Sequence, residues 1–62
     1  MWERIGAIWD DDVTELLIEV HVDHDANDVH VALMSADGAV RLNAKQCHDL
    51  ALLIQRAERR VS

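Results

Sequence analysis

The sequence predicts an α+β fold, in which an antiparallel meander of three to four strands precedes one C-terminal amphipathic helix packed on one face of the sheet. Three observations predict it. Apolar and polar residues alternate along short segments before residue 43, turn-forming residues separate these segments, and a long stretch without glycine or proline follows. With 62 residues and one cysteine, we expect a single small domain without an internal disulfide.

The first twelve residues are compatible with a strand or a helix, and we favour the strand. As a strand, its inner residues would be Ile5, Ala7 and Trp9. Their predicted partners on the next strand are, in the same order, Ile18, Leu16 and Thr14. As a helix, this segment would place three aspartates, residues 10–12, at its C-terminal end, where the helix dipole disfavours negative charge.

The next two segments predict a β-hairpin. Aliphatic residues recur at every second position, first as Leu16, Ile18, Val20 and Val22, and then as Val29, Val31 and Leu33. A four-residue loop at 25–28 would place Val20 opposite Leu33 and Val22 opposite Val31. Both pairs lie on one face, so the predicted register and the predicted burial agree.

A further strand is predicted over residues 39–42. Asp37 and Gly38 form a dipeptide typical of type I′ turns, whose two central residues both need a positive φ. A two-residue turn there would place Leu42 opposite Leu33 and Val40 opposite Ser35. The inner face would therefore remain mostly apolar as far as the edge of the sheet.

Residues 44–60 predict the helix, and Asn43 predicts its N-cap. The Asn43 side chain can accept from the Gln46 backbone N–H, and the Gln46 side chain can reach back, as in a capping box. An apolar stripe recurs at spacings of three and four residues and predicts the face that packs on the sheet. Its members are Cys47, Leu50, Ala51, Ile54 and Ala57, widened by Leu53 and Val61.

The charge distribution predicts an acidic interaction surface. The formal net charge is −6, and Arg4 is the only arginine or lysine in the first 37 residues. Phosphate backbones repel such a chain, so we do not expect direct nucleic-acid binding. We expect instead a basic protein partner, for an inhibitor, an antitoxin-like regulator or a nucleic-acid mimic. The candidate partner-binding residues are Asp10, Asp11, Asp12, Glu15, Glu19, Asp23, Asp25 and Asp28.

Apolar residues outside the predicted core indicate self-association. A domain of this size has a small core, and a contiguous apolar patch on its surface is typical of an interface. We expect a homodimer, formed through the outer sheet face, a sheet edge or the second apolar side of the helix, and a structural subunit of a larger assembly is the alternative. The candidate interface residues are Leu17, Ala32 and Met34 on the outer sheet face, and Leu52 beside the helical stripe.

A metal site is a second alternative function. In the predicted register Asp23 lies opposite His30, and His21 follows on the same face. Imidazole and carboxylate are ligands for Zn²⁺ or another divalent transition metal. A solvated histidine–aspartate pair explains the same residues without a metal. The spacing of Asp23, Asp25 and Asn27 is similar to the start of an EF-hand loop, but the required glycine and bidentate glutamate are absent, so a hairpin turn is favoured.

Catalysis is not expected. Cys47 and His48 are adjacent, but consecutive helical residues do not face each other, and Cys47 is predicted to lie in the core. The chain contains no glycine-rich phosphate loop, and its N-terminus does not resemble a signal peptide, so we expect a cytoplasmic protein. With a helical N-terminus, the element order would resemble the double-stranded-RNA-binding domain, but the phosphate-facing basic residues of that domain are missing here.

Overall fold

The computed structural model describes residues 1–12 and 14–61. Within them lie β1 (Trp2–Trp9), β2 (Leu16–Asp23), β3 (Asp28–Leu33) and α1 (Ala44–Glu58). The strands form an antiparallel sheet in the order β1-β2-β3, and α1 packs on one face of it. This confirms the predicted α+β class. No helix in the described ranges has the length and apolar character needed to cross a membrane.

The N-terminal segment is a strand, as favoured, but its predicted register is wrong. Ile18 lies opposite Ile8 rather than Ile5, and the ladder is interrupted between Arg4 and Gly6 and again after Ile8. A bulge adds one residue to a strand and reverses which residues face inwards beyond it. As a result Ile8 is buried, whereas Trp9, predicted to face the core, is 48% exposed.

Gly6 allows the helix to approach β1. A Cβ atom at this position would lie 2.5 Å from Cδ2 of Leu53, well inside van der Waals contact. The helix therefore places the Leu53 side chain directly on the backbone of β1. The bulge before Gly6 contributes to this contact, because it turns the glycine toward the helix side of the sheet.

The hairpin between β2 and β3 forms, with a register two residues away from the predicted one. Val20 lies opposite Val31, and Val22 lies opposite Val29. The loop is residues 24–27, since Asp23 and Asp28 form the last pair of the ladder. Asp23 Oδ1 stabilises the loop by accepting hydrogen bonds from the N–H groups of residues 25 and 26, at 3.0 and 3.2 Å. Asn27 closes it with a φ of 58°. A shift of two residues leaves every side chain on its predicted face.

The predicted strand over residues 39–42 is absent. Residues 34–43 form a connection without strand structure. The turn spans Ser35 to Gly38, whose N–H donates to the Ser35 carbonyl at 3.1 Å. Asn27 is the only non-glycine residue with a positive φ in the described ranges, so Asp37 lacks the conformation that a type I′ turn needs. The connection leaves the sheet, while Val40 and Leu42 still pack against the core.

The turn at Ser35 provides a first testable prediction. The Ser35 hydroxyl donates to Asp37, and this bond, together with the Ala39 backbone N–H, lowers the pKa of Asp37. A lowered pKa means that the turn loses stability as the pH falls through that pKa. We expect Ser35→Ala to raise the pKa of Asp37 toward its ordinary value, measured by NMR titration of the carboxyl carbon. An unchanged pKa would contradict the hydroxyl's role.

The helix runs antiparallel to β1 and is rotated relative to the prediction. Its N-terminal turn contacts Trp9, and beyond its C-terminal end Arg60 pairs with Glu3 at 2.6 Å. The capping box of Asn43 and Gln46 is confirmed. The residues that face the sheet are Gln46, Leu50, Leu53 and Ala57. The predicted stripe is wrong in part, since Cys47 and Ala51 are exposed and Ile54 is 39% exposed.

Candidate interaction surfaces

The connection between β1 and β2 carries the most concentrated negative charge. We call Asp10, Asp11 and Asp12 the acidic loop. Together with residues 41–43 and Gln46, it lines a hollow of about 440 Å³ at the N-terminal end of α1. Asp11 accepts a hydrogen bond from the Asn43 side chain at 2.8 Å, and Asp10 accepts one from the Asp12 N–H at 2.9 Å. These bonds hold the loop against the helix in a defined geometry.

The remaining predicted acids do not form one surface with the acidic loop. Asp23, Asp25 and Asp28 lie at the other end of β2, which has eight residues and is about 24 Å long at ~3.4 Å per residue. Glu19 lies between the two ends and pairs with Arg4 at 3.1 Å. Glu15 lies beside the acidic loop, because its carbonyl accepts from the Asp10 N–H at 2.9 Å.

The carboxylates at the Asp23 end of β2 have more partners within the protein than those of the acidic loop. Asp23 is used by the β2–β3 turn, and Asp25 accepts from the amino group of Met1, which lowers the pKa of Asp25. Within the described ranges, Asp11 and Asp12 form no ion pair. Lys45 is nearby, but it is bonded to Asp49, and the pKa of Lys45 is raised first by Asp49 and only more weakly by the charge of Asp11.

The outer face of the sheet carries an aromatic cluster that sequence reasoning missed. Trp2 lies edge-on to His30 and His21, with ring centroids 5.0 and 6.1 Å apart. With Ala32 these residues line a shallow hollow of about 300 Å³, and we call the four residues the Trp2 cluster. Trp2 reaches the histidines because it pairs with Asp23 across β1 and β2.

The structure brings together only two of the three predicted metal ligands. His21 lies directly opposite His30, whereas Asp23 lies opposite Asp28 rather than His30. The Asp23 carboxylate accepts from the backbone of its own turn. Among residues 1–12 and 14–61, no group of three or more histidine, cysteine or acidic side chains is placed to hold a metal ion. The predicted pairing of Asp23 with His30, on which the zinc hypothesis rested, is wrong.

Three of the four predicted dimer residues are neighbours. Leu17 is half-buried and its carbonyl accepts from the Met34 N–H at 2.8 Å, and the exposed Met34 follows Ala32 of the Trp2 cluster by two residues. Leu52 is 45% exposed and lies on the helix face opposite the buried positions. Leu52 therefore lies apart from the other three residues.

The chain was compared with models of known protein families, with characterised proteins and with solved structures, and none of these comparisons gives a match. What the fold and its surfaces define is a small α+β domain, with one helix on one sheet face and an open face on the other.

Proposed function

We propose that the protein is a non-enzymatic protein–protein interaction module, which works as a homodimer and binds a basic segment of a partner protein through its acidic loop. Such a module suits an inhibitor, an antitoxin-like regulator or a mimic of nucleic-acid charge. One observation carries the proposal. Three consecutive carboxylate residues line a hollow of about 440 Å³ beside the helix N-terminus, in a chain whose net charge is −6.

The acidic loop suits a basic segment better than the opposite end does. Its carboxylates are oriented by Asn43 and by the loop backbone, so a partner has little ordering to impose on binding. At the opposite end, Asp25 is already paired and Asp23 stabilises the turn. Lysine or arginine side chains entering the hollow would meet the carboxylates of Asp11 and Asp12, which form no ion pair in the described ranges; Arg41 lines the same hollow.

We expect neutralisation of the acidic loop to weaken binding of a short lysine-rich peptide. The variant combines Asp10→Asn, Asp11→Asn and Asp12→Asn, which preserves side-chain size. Exposed ion pairs contribute about 0.2–1 kcal/mol each, so three of them together correspond to roughly tenfold in Kd. Isothermal titration calorimetry at low and at physiological salt measures the change, and screening should weaken the wild-type interaction as salt rises.

The matched control removes the same charge from the other end of the molecule. It combines Asp25→Asn, Asp28→Asn and Glu58→Gln, which lie away from the acidic loop. We expect this variant to bind the peptide nearly as well as the wild type. Equal weakening of both variants would show that net charge alone attracts the peptide, and absence of wild-type binding would also contradict the proposal.

A further inference from the structure

We propose that two copies of this chain pair antiparallel through β3, centred on Val31, and form a continuous six-stranded sheet with both helices on the same face. This geometry rests on the proposed homodimer and specifies the surface that forms it. A sheet edge was one of the surfaces expected for the homodimer, but the strand predicted over residues 39–42 would have covered β3. In the structure, that segment leaves the sheet after Met34.

The backbone of β3 determines which groups are available at the open edge. The Met34 N–H donates to the Leu17 carbonyl at 2.8 Å, on the β2 side. Hydrogen-bonded pairs recur at every second residue of an antiparallel ladder, so the backbone groups of Ala32 and His30 also point toward β2. The backbone N–H and C=O groups of Val29, Val31 and Leu33 therefore point away from β2, toward the open edge. Over the described residues, no further strand pairs with them.

The two edges of the sheet are protected to different degrees. Natural sheets protect their edges with bulges and charged residues, because an unpaired row of N–H and C=O groups recruits other strands. β1 has two interruptions of its ladder and carries Glu3 and Arg4. β3 pairs with β2 without interruption and has no charged residue from Val29 to Leu33. The unprotected edge is thus the one suited to a partner strand.

The sequence of β3 is complementary to itself in this arrangement. With Val31 at the two-fold axis, Val29 lies opposite Leu33 of the second copy, and His30 lies opposite Ala32. Asp28 falls opposite Met34, so no like charges meet. Every outward-pointing backbone group between Val29 and Leu33 then has a partner, because these residues form hydrogen-bonded pairs across the axis.

Apolar side chains beside this edge are left uncovered by the single copy. Val31 and Leu33 are 40% and 44% exposed, although they share the inner sheet face with the buried Val20. The helix lies mainly over β1 and contacts β3 least of the three strands, so it leaves Val31 and Leu33 partly uncovered. A second β3 would place its own valine and leucine side chains beside them and remove apolar surface from water. The outer face is less suited, because Arg4, Glu19 and two histidines interrupt it.

Disulfide trapping tests the pairing directly. Residues of a hydrogen-bonded antiparallel pair have Cα atoms about 5.5 Å apart, within the range of about 4.4–6.8 Å that a disulfide spans. In a Cys47→Ser background, we expect Val31→Cys to form a covalent dimer under mild oxidation. The control is Leu52→Cys in the same background, which has similar exposure and should remain monomeric on a non-reducing gel. Equal cross-linking of both variants, or none by Val31→Cys, would overturn the proposed pairing.

A backbone substitution tests the same pairing without oxidation. Val31→Pro removes an N–H that points away from β2, so the single copy keeps its ladder while the dimer loses hydrogen bonds at its centre. We expect a folded monomer by light scattering and circular dichroism, whereas Val31→Thr keeps the N–H and should remain dimeric. If Val31→Pro does not fold, the disulfide experiment decides.

The outcomes separate this inference from the proposed function. A wild type that is monomeric at all concentrations would overturn both the homodimer and the β3 pairing. A dimer that survives Val31→Pro would preserve the homodimer and overturn the β3 pairing alone. Salt provides a further distinction, since two chains of charge −6 repel each other. Screening should therefore strengthen the dimer while it weakens peptide binding at the acidic loop.

Discussion

Ile18→Ala is expected to remove most of the protein's free energy of unfolding at 25 °C. Ile18 is 1% exposed and lies at the centre of the sheet, between Ile8 and Leu33. Replacing a buried isoleucine with alanine costs about 2–5 kcal/mol, whereas a domain of this size has roughly 3–5 kcal/mol in total. Urea denaturation followed by tryptophan fluorescence, at one fixed protein concentration, measures the change in the free energy of unfolding.

Leu52→Ala is the control for this prediction. Leu52 is 45% exposed on the outer side of the helix, so its truncation should change the free energy of unfolding by no more than about 0.5 kcal/mol. Fixed protein concentration is needed because dimerisation adds to apparent stability. If Ile18→Ala unfolded at the wild-type urea concentration, the core would not depend on the centre of β2.

The parts of the fold that depend on residue periodicity could be predicted from the sequence. Val20 and Val22 are fully buried, as their alternation with polar residues predicts. This result survived an error in register because the error was two residues, which leaves each side chain on its own face. The N-cap at Asn43 was also predictable, since capping depends on residue types three positions apart.

Features that break periodicity could not be predicted. The bulge in β1 moves Ile8 into the core in place of Trp9; Gly6 lies beside the bulge, but a single glycine in a strand does not specify where the register shifts. The rotation of the helix follows from Gln46, a polar residue that an apolar stripe excludes by definition. A glycine after an aspartate predicted a hairpin turn, but the conformation of Asp37 determines the turn type.

The candidate surfaces were predictable only where they are local in the sequence. The acidic loop is three consecutive residues, so its charge cluster needs no tertiary information. The Trp2 cluster and the β3 edge depend on which strands are neighbours. The β3 edge was missed because the path of residues 34–43 differs from the prediction.

Gln46→Ala is the second substitution with a large expected effect. The Gln46 side chain is buried, accepts from the Asn43 N–H at 2.9 Å and donates to the Trp9 carbonyl at 2.8 Å. It therefore closes the helix cap and ties the helix to the end of β1. Leaving a buried backbone group without its partner costs about 1–3 kcal/mol. We expect Gln46→Ala to lower the free energy of unfolding by about 2–3 kcal/mol, measured by urea denaturation.

Gln46→Glu distinguishes the two roles of this side chain. A glutamate carboxylate still accepts from the Asn43 N–H, but it cannot donate to the Trp9 carbonyl, and it adds negative charge beside the acidic loop. We expect Gln46→Glu to destabilise the protein at neutral pH, with partial recovery when acid protonates the new carboxyl and restores a donor. The matched control is Gln55→Glu, because Gln55 is exposed on the same helix. If both variants unfolded alike at neutral pH, the bond from Gln46 to Trp9 would not connect the helix to the sheet.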